Sequence, residues 1–332
     1  MRFSVTAISY HDTINDLQGL DWSDAGPFAR PEWFALLEKG GLKPVLATAR
    51  LDEEGITLPL RRGKHGLEAL TNWYAFTWSD LRTRGTVGAS LLQDLAADLA
   101  RITHRVTLTK VPEEQDTLLR LSRAFRSARW LVIEEPCDTN HVLEVAGRSF
   151  AEYLAARPGH LRTTLKRKGK KVDVTLSTHL DAADWAAYED IYAASWKPEE
   201  GNPDLLRAFA QGESDAGRFR FAIARKDGEP VAAQFWTVDG DTAYIHKLAH
   251  RRGEDRLSPG TTLTAALFER VIDIDGVAHV DFGTGDDPYK RDWMEKVRTR
   301  WKLTCLRPAN PRNWSVMARH VLRKLVQVAS DG

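Results

Sequence analysis

Apolar positions along this chain recur at two spacings, every second residue and every third or fourth, and the alternation between them draws the elements. In the first half RFSVTAI, PVLATARL, GITLPL, RVTLTKV and WLVIEE read as strands, with GITLPL hairpin-like. PEWFALLEKG, SLLQDLAADLARI and EEQDTLLRLSRAFRSA read as helices, the first with proline in its opening turn. A tryptophan-rich loop, TNWYAFTWSDL, interrupts the series. The pattern predicts a mixed α/β unit over residues 1–145.

A second unit is expected over 146–310. It opens with a helix running to Arg157, punctuated by Pro158, and another starting at His160. VDVTLST reads as a strand, and DAADWAAYEDIYAASW as a helix capped by Asp181. RFRFAIARKDGEPVAAQFWTVDGDTAYIHKLAH gives three strands joined by KDGE and VDGD, whose Asp-Gly pairs are strong hairpin signals. LSPGTTLTAALFERVIDIDG follows as a helix with Ser258 as N-cap, Pro259 at its first position and Gly276 past its end. AHVDFG is a strand. The tail, 311–332, holds a basic amphipathic helix, NWSVMARHVLRKLVQV, expected to pack as a terminal element with a solvated basic face.

Length agrees with two units: 332 residues is about twice a domain of ~150. With 42% hydrophobic residues, 28% charged and a net charge of +1, the composition is that of a soluble globular protein, and the charge points to no partner. Cys137 and Cys305 are far apart without a C-x-x-C spacing, so a disulfide framework or cysteine zinc site is not expected. The first residues lack a signal-like apolar run, and no stretch approaches the ~18 apolar residues of a spanning helix. A reducing, bacterial-type cytoplasm is the expected location.

Candidate chemistry gathers in the last third. The helix start at Ser258–Thr262 offers free backbone N–H groups to a pyrophosphate; Gly260 allows close approach, and Ser258, Thr261 and Thr262 add hydroxyls. The same start also reads as a plain capped helix. In AYIHKLAH a period of two places Tyr244, His246, Leu248 and His250 on one face and Ile245, Lys247 and Ala249 on the other. Lys247 then needs a partner, either Asp281 on the next strand or a donor or substrate group. Gln234 and Trp236 share a face, as the wall of a cleft or as core. His246 and His250 lie ~13 Å apart along a strand and cannot chelate one metal; no metal site is expected. Hydrolase, NTPase and dinucleotide signatures are missing from the sequence.

DFGTGDDPYKRDW, 281–293, ends a strand with Gly283 and Gly285, which permit positive φ and close backbone approach, before two acids and a helix starting at Pro288. One of Asp286 and Asp287 is expected to cap that helix. An aspartate there can take up a proton, a lysine can stabilise a developing oxyanion and a tyrosine can give a proton to a leaving group. Asp286 or Asp287, Lys290 and Tyr289 are the candidates for those roles in that order.

FAIARKDGEPVAAQFWTVDGDTAYIHKLAH, LSPGTTLTAAL and VDFGTGDDPYKRDW together resemble the GNAT superfamily of N-acetyltransferases, in its BioF2-like or CelD-like branch, related to the Fem aminoacyltransferases. The resemblance covers about residues 145–305. It implies two GNAT-like domains in an α/β (α+β) fold, with mixed, mainly antiparallel sheets flanked by helices. It also implies direct acyl transfer from an acyl-CoA to an amine, on a cell-envelope, polysaccharide, lipid-like or specialised-metabolite acceptor. Arg256 and Gly260 fall on the family's acyl-CoA loop, one residue further apart than its pattern. Lys290-Arg291-Asp292-Trp293 resembles the Fem K-x-x-F-G motif without its glycine, which carries a role in transfer over to Lys290 and sets Trp293 beside it.

HLRTTLKRKGKKV carries Arg162, Lys166, Arg167, Lys168, Lys170 and Lys171 with no acid and no aromatic residue. It reads as a solvated face, or as a surface for donor or acceptor phosphates, tRNA or an anionic membrane, and Arg162 is long enough to reach a cleft. Base stacking on it is not expected. Two rival readings therefore stand beside acyl-CoA transfer: an aminoacyl-tRNA-dependent Fem-like transferase, and a catalytically silent GNAT-like binding protein.

Overall fold

The computed structural model describes residues 5–17, 21–22, 26–85 and 87–330. They divide into two compact units, Met1–Asp138 with Thr299–Gly332, and Thr139–Arg298. In chain order the first unit contributes β1 (Ala7–His11), α1 (Pro31–Lys39), β2 (Pro44–Leu51), β3 (Glu54–Gly63), β4 (Gly66–Ala69), β5 (Leu81–Arg82), α2 (Ala89–Ile102), β6 (Arg105–Pro112) and α3 (Thr117–Ser127). The predicted first strand, RFSVTAI, starts at 2–4, outside the described residues; pairing begins at Ala7. β7 (Leu131–Glu144) starts in this unit and ends in the second.

The second unit continues with α4 (Phe150–Ala155), α5 (Gly159–Lys168), β8 (Asp173–Ser177), α6 (Ala182–Ala193), α7 (Pro203–Asp215), β9 (Phe219–Lys226), β10 (Glu229–Asp239), β11 (Thr242–His250), α8 (Pro259–Glu269), β12 (His279–Thr284) and α9 (Pro288–Trp293). The chain then returns through β13 (Lys296–Leu306) to α10 (Trp314–Ser330).

Both units have the same strand plan. In the first, β1, β2, β3 and β4 are antiparallel neighbours, β4 pairs in parallel with β6, and β13 adds antiparallel to β6. In the second, β8, β9, β10 and β11 are antiparallel neighbours, β11 pairs in parallel with β12, and Asn140–Glu144 of β7 adds antiparallel to β12. Each unit is thus completed by a strand reached by a long excursion of the chain. The compact division accordingly falls at 138/139 and 298/299, inside two strands, whereas the sequence placed boundaries at 145/146 and 310/311 between elements.

Local chemistry explains the predicted elements. Asp181 caps α6, accepting from Ala183 N and Asp184 N at 2.9 Å. The KDGE turn places Asp227 at φ 52° and Gly228 at φ 85°, the two positive angles that a tight hairpin of this hand requires. Ser149 and Glu152 form a capping box at α4.

Two expectations are corrected. Ser258 holds the N-cap position of α8, but at φ 51°, ψ 49° its side chain reaches no helix N–H. Its left-handed backbone points the hydroxyl away from the first turn, where it accepts from Lys168 instead. The apolar face of α10 is not packed: Leu322 is 61% exposed, Leu325 62% and Val326 68%, with Arg319 and Arg323 exposed on the same helix.

In the second unit the core on the α8 side of the sheet is aromatic. Phe268 stacks between Tyr153 and Trp293 at 5.2 and 5.1 Å, and Trp236 meets it edge-on at 5.3 Å. On the other side α6 and α7 pack Trp185 and Phe209 against Phe235. This sheet, filled on both faces, holds the ends of β11 and β12 in place.

Candidate active site

β11 and β12 run in parallel for only three residues, Thr242–Tyr244 opposite His279–Asp281. Beyond them β11 continues to His250 with no ladder to β12, which ends at Thr284. Two adjacent parallel strands that part in this way open a wedge, and the main-chain groups of β11 along it can bond an extended ligand.

A bulge changes which side chains face the wedge. Between β10 and β11 the register runs Phe235↔Lys247 and then Trp236↔Ile245, so His246 is the extra residue. His246 stacks on Phe235 at 4.9 Å and lies 2.8 Å from Thr237 Oγ1, on the α6–α7 side. Lys247 faces the same side, with its Nζ over Tyr192, whereas Ile245 belongs to the α8 core. The strict alternation expected of this strand therefore fails at one residue, and Lys247 shares a face with Tyr244 and His246. Its partner is Glu200, 2.9 Å away, not Asp281. Burial lowers the Lys247 pKa, and Glu200 opposes that shift.

Asp281 is buried and serves the backbone. It accepts from Asn140 Nδ2 at 2.9 Å and from Gly283 N at 2.7 Å, which turns the end of β12. Gln234 and Trp236 are fully buried and do not line a cleft. Trp236 Nε1 donates to Gln234 Oε1 at 2.9 Å, and Gln234 Nε2 donates to Gly260 O at 2.9 Å, tying α8 to the sheet. Trp293 is core as well, stacked on Phe268. The sequence pattern put Gln234 and Trp236 on one face but could not tell a cleft wall from a core.

At the N-terminus of α8, Pro259 holds the first position and Gly260 is buried. A Cβ on Gly260 would stand 3.3 Å from Leu248 Cδ1 of β11, so glycine lets the helix start sit close to the strand. Thr262 Oγ1 turns back to Ser258 O at 3.4 Å, so Thr261 is the hydroxyl left at the surface of this turn. Lys168, the last residue of α5, donates to Ser258 Oγ at 2.9 Å. The basic run thereby delivers one ammonium to the α8 start. Arg256 is exposed beside it, and Arg162 is exposed on α5.

In the loop after β12, Gly283 and Gly285 adopt φ 69° and 98°, as expected. Asp287 occupies the N-cap position of α9 without a side-chain cap bond. Asp286 is held by Arg291 and by the buried His141, whose Nε2 lies 2.8 Å away; Arg291 first and His141 second keep its carboxyl below the usual range. A carboxylate stabilised in this way is a weak base, which removes Asp286 from that role. Lys290 is 4% exposed, and its Nζ donates to Thr284 O at 2.6 Å and Gly285 O at 3.3 Å. Its ammonium holds the loop. Tyr289 stays in the loop surface, its phenol pushed up to about 12 by burial and then by Asp287.

The structure adds a residue that sequence reasoning missed. Lys197, in the polar loop SWKPEEGN between α6 and α7, is half-buried, and no hydrogen bond or ion pair reaches its Nζ among the described residues. Burial, then Lys247, lower its pKa to about 8, while Glu200 and Asp287 oppose the shift and Lys290 adds to it. Lys197 Nζ and Lys247 Nζ of β11 lie 5.9 and 5.3 Å from the same Tyr192 ring, which sets Lys197 beside β11. Nothing in SWKPEEGN marks it; only the fold brings it there. Among the described residues no group of three or more His, Cys, Asp or Glu side chains could hold a metal.

Residues 159–291 match the family model of the acetyltransferase (GNAT) domain. No curated protein sequence matches the chain. Among solved structures, that of FemX is similar over 89% of this chain and 96% of its own, with 8% identity and a TM-score of 0.61. L-PGS from Bacillus licheniformis is similar over 89% of this chain and 98% of its own, with 11% identity and a TM-score of 0.57. A tandem GNAT protein from the clavulanic acid biosynthesis pathway is similar over 92% of this chain and 100% of its own, with 12% identity and a TM-score of 0.50. At such identities the likeness is one of fold, and it agrees with the repeated strand plan.

Proposed function

We propose, on the premise that the second unit is a GNAT acetyltransferase domain, that the protein transfers an acyl group from an acyl-CoA-type thioester to an amine by direct attack. The observation that carries this reading is the wedge between β11 and β12, which lies beside a helix start equipped for phosphate. A thioester donor of this kind has a diphosphate at one end and an arm with two amides leading to sulfur. The first-turn N–H groups of Gly260 and Thr261, with Lys168 next to them, suit the diphosphate. The side of β11 that faced β12, where their ladder ends at Tyr244, suits the amides, as a strand edge suits a peptide.

Roles follow from the contacts. Asp286 is held by Arg291 and His141, so Asp287, which makes no cap bond, replaces it as the carboxylate able to receive a proton. Lys290 sets the Thr284–Gly285 carbonyls, and through them the position of Asp287. Among the described residues the one hydroxyl paired with a histidine on β10 and β11, Thr237 with His246, is fully buried, which favours direct transfer over a covalent intermediate.

A second reading, transfer from aminoacyl-tRNA, is favoured by the exposed Arg162, Lys166 and Arg167 on the helix that ends at the α8 start. Titration calorimetry of the purified protein with acetyl-CoA, a long-chain acyl-CoA and charged tRNA separates the two. Binding of either CoA thioester, lost on Gly260→Trp, is expected. Binding of charged tRNA alone would replace the first reading with the second, and binding of none would overturn both.

A further inference from the structure

Below the 195–202 loop lies a cavity of ≈ 630 Å³, bounded by α6 and α7, that none of the functions above uses. Its size is that of a small-molecule site. One wall is apolar and aromatic, made by the buried Trp185, Tyr188, Tyr192 and Leu206. Its charged groups are unevenly matched. Glu189 is held by Arg207 and by Trp185 Nε1, and Glu200 is held by Lys247. Glu199 and Asp204 stand exposed at the rim, and no hydrogen bond or ion pair reaches their carboxylates among the described residues. Such a cavity attracts a cation with an apolar body.

Lys197 lines the same cavity, its Nζ 5.9 Å from the centres of the Tyr192 and Trp196 rings. The charges that reach it come from every side: Lys247 on β11, Glu200 on its own loop, and Asp287 and Lys290 after β12. Lys247 of β11 lies over Tyr192 and pairs with Glu200, both in the cavity wall, so Lys197 stands where the cavity meets β11 beyond Tyr244.

We propose that this cavity receives the amine acceptor, a primary ammonium on an apolar or aromatic body, and that Lys197 Nζ takes up the acceptor's proton. This rests on the acyl-transfer reading above. The neutral lysine accepts one proton from the acceptor ammonium and becomes an ammonium itself. The freed amine attacks the thioester carbon, the C–N bond forms and the C–S bond breaks, and the second nitrogen proton passes through Asp287 to the departing sulfur. Lys197 then returns its proton to water. An ordinary lysine, with a pKa of ~10.4, is protonated at neutral pH and cannot do this. Burial beside Lys247 brings this one to about 8, where a useful fraction is neutral.

The test uses the full chain, with n-hexylamine as probe and n-hexanol as its uncharged match. Trace acetylation by acetic anhydride between pH 6 and 10, read peptide by peptide by mass spectrometry, gives the reactivity of Lys197 relative to exposed Lys166. Lys197 is expected to titrate near 8, and hexylamine is expected to protect it roughly tenfold while hexanol does not, a difference of about 1.4 kcal/mol. Titration of Lys197 together with Lys166, or equal protection by amine and alcohol, would overturn the proposal.

With acetyl-CoA added, kcat/KM for hexylamine should rise with pH through about 8 in the wild type. In Lys197→Met and Lys197→Arg it should fall and lose that step, with acetyl-CoA binding kept. A step unchanged in both variants would also overturn the proposal. If labelling and protection hold while acetyl-CoA releases no CoA, the acyl-transfer reading fails and the amine site stands.

Discussion

Replacing Lys290 by methionine separates a structural lysine from a chemical one. The ammonium is buried, donates to Thr284 O at 2.6 Å and Gly285 O at 3.3 Å, and sits over the Phe282 ring at 5.5 Å. Methionine fills similar space, so little of the cost comes from a cavity. What is lost is one strong and one weaker hydrogen bond to a charged donor, each worth ~1.5–3 kcal/mol, and together about 3 kcal/mol. Two carbonyls also lose their donor, in the loop where Gly283 and Gly285 already adopt left-handed angles. At a urea slope of ~2 kcal/mol/M the midpoint should fall by roughly 1.5 M. Transfer should fall too, because Asp287 follows the carbonyls. If Lys290→Met unfolds within ~0.3 M of the wild type yet loses transfer, the lysine acts on the reacting group and the positioning role is wrong.

Further perturbations probe the rest of the site. His246 is held neutral, its pKa lowered to about 3 by burial and then by Lys247, against ~6.5 in the unfolded chain. As pH falls from ~6.5 towards 3, the unfolded chain binds a proton that the folded one refuses, so stability drops by up to ~1.4 kcal/mol per unit. His246→Gln should lose that dependence, and identical urea midpoints for both proteins at pH 4.5 and pH 7 would refute it. Gly285→Ala meets no steric block, with 3.6 Å to Lys290 Nζ, but must hold φ 98°; a loss of ~1 kcal/mol or more is expected, and an unchanged midpoint would show the loop relaxes freely. Lys168→Ala should raise KM for acetyl-CoA several-fold with kcat kept, less so at high salt; a KM that does not move takes Lys168 out of the donor site. The exposed apolar row on α10 should bring the protein down with phosphatidylglycerol vesicles in a sedimentation assay, and Leu322→Glu with Leu325→Glu should leave it in the supernatant; equal pelleting of both proteins would remove α10 as a membrane contact.

Local codes were legible in the chain because a few neighbouring residues write them. Asp181 caps its helix, Pro259 starts one, Asp227-Gly228 closes a hairpin, and Gly283 and Gly285 adopt positive φ. Pairings set by distant elements were not legible. Glu200 reaches Lys247 across 47 positions, and Asp281 turns inward to Asn140 across 141. Lys197 lies in a loop whose composition reads as ordinary solvent-facing chain. Its chemistry comes from burial and from charges on β11 and beyond β12, neither of which has a local signature.

The bulge at His246 shows how one residue of backbone redirects the chemistry. Without it, alternation would put Lys247 on the side of Ile245, in the aromatic core under α8. With it, Lys247 crosses to the side of Tyr192 and Glu200, and the charge it brings there is part of what lowers Lys197. The same strand then leaves its ladder with β12 after Tyr244, so the extra residue and the opening of the wedge fall within a few residues of each other. On the acyl-transfer proposal, one strand would offer main chain to the donor on its edge and an ordered set of charges to the acceptor on its face. An amine entering under the 195–202 loop would approach the thioester from the side where protons can be taken up, and the donor would approach along the edge.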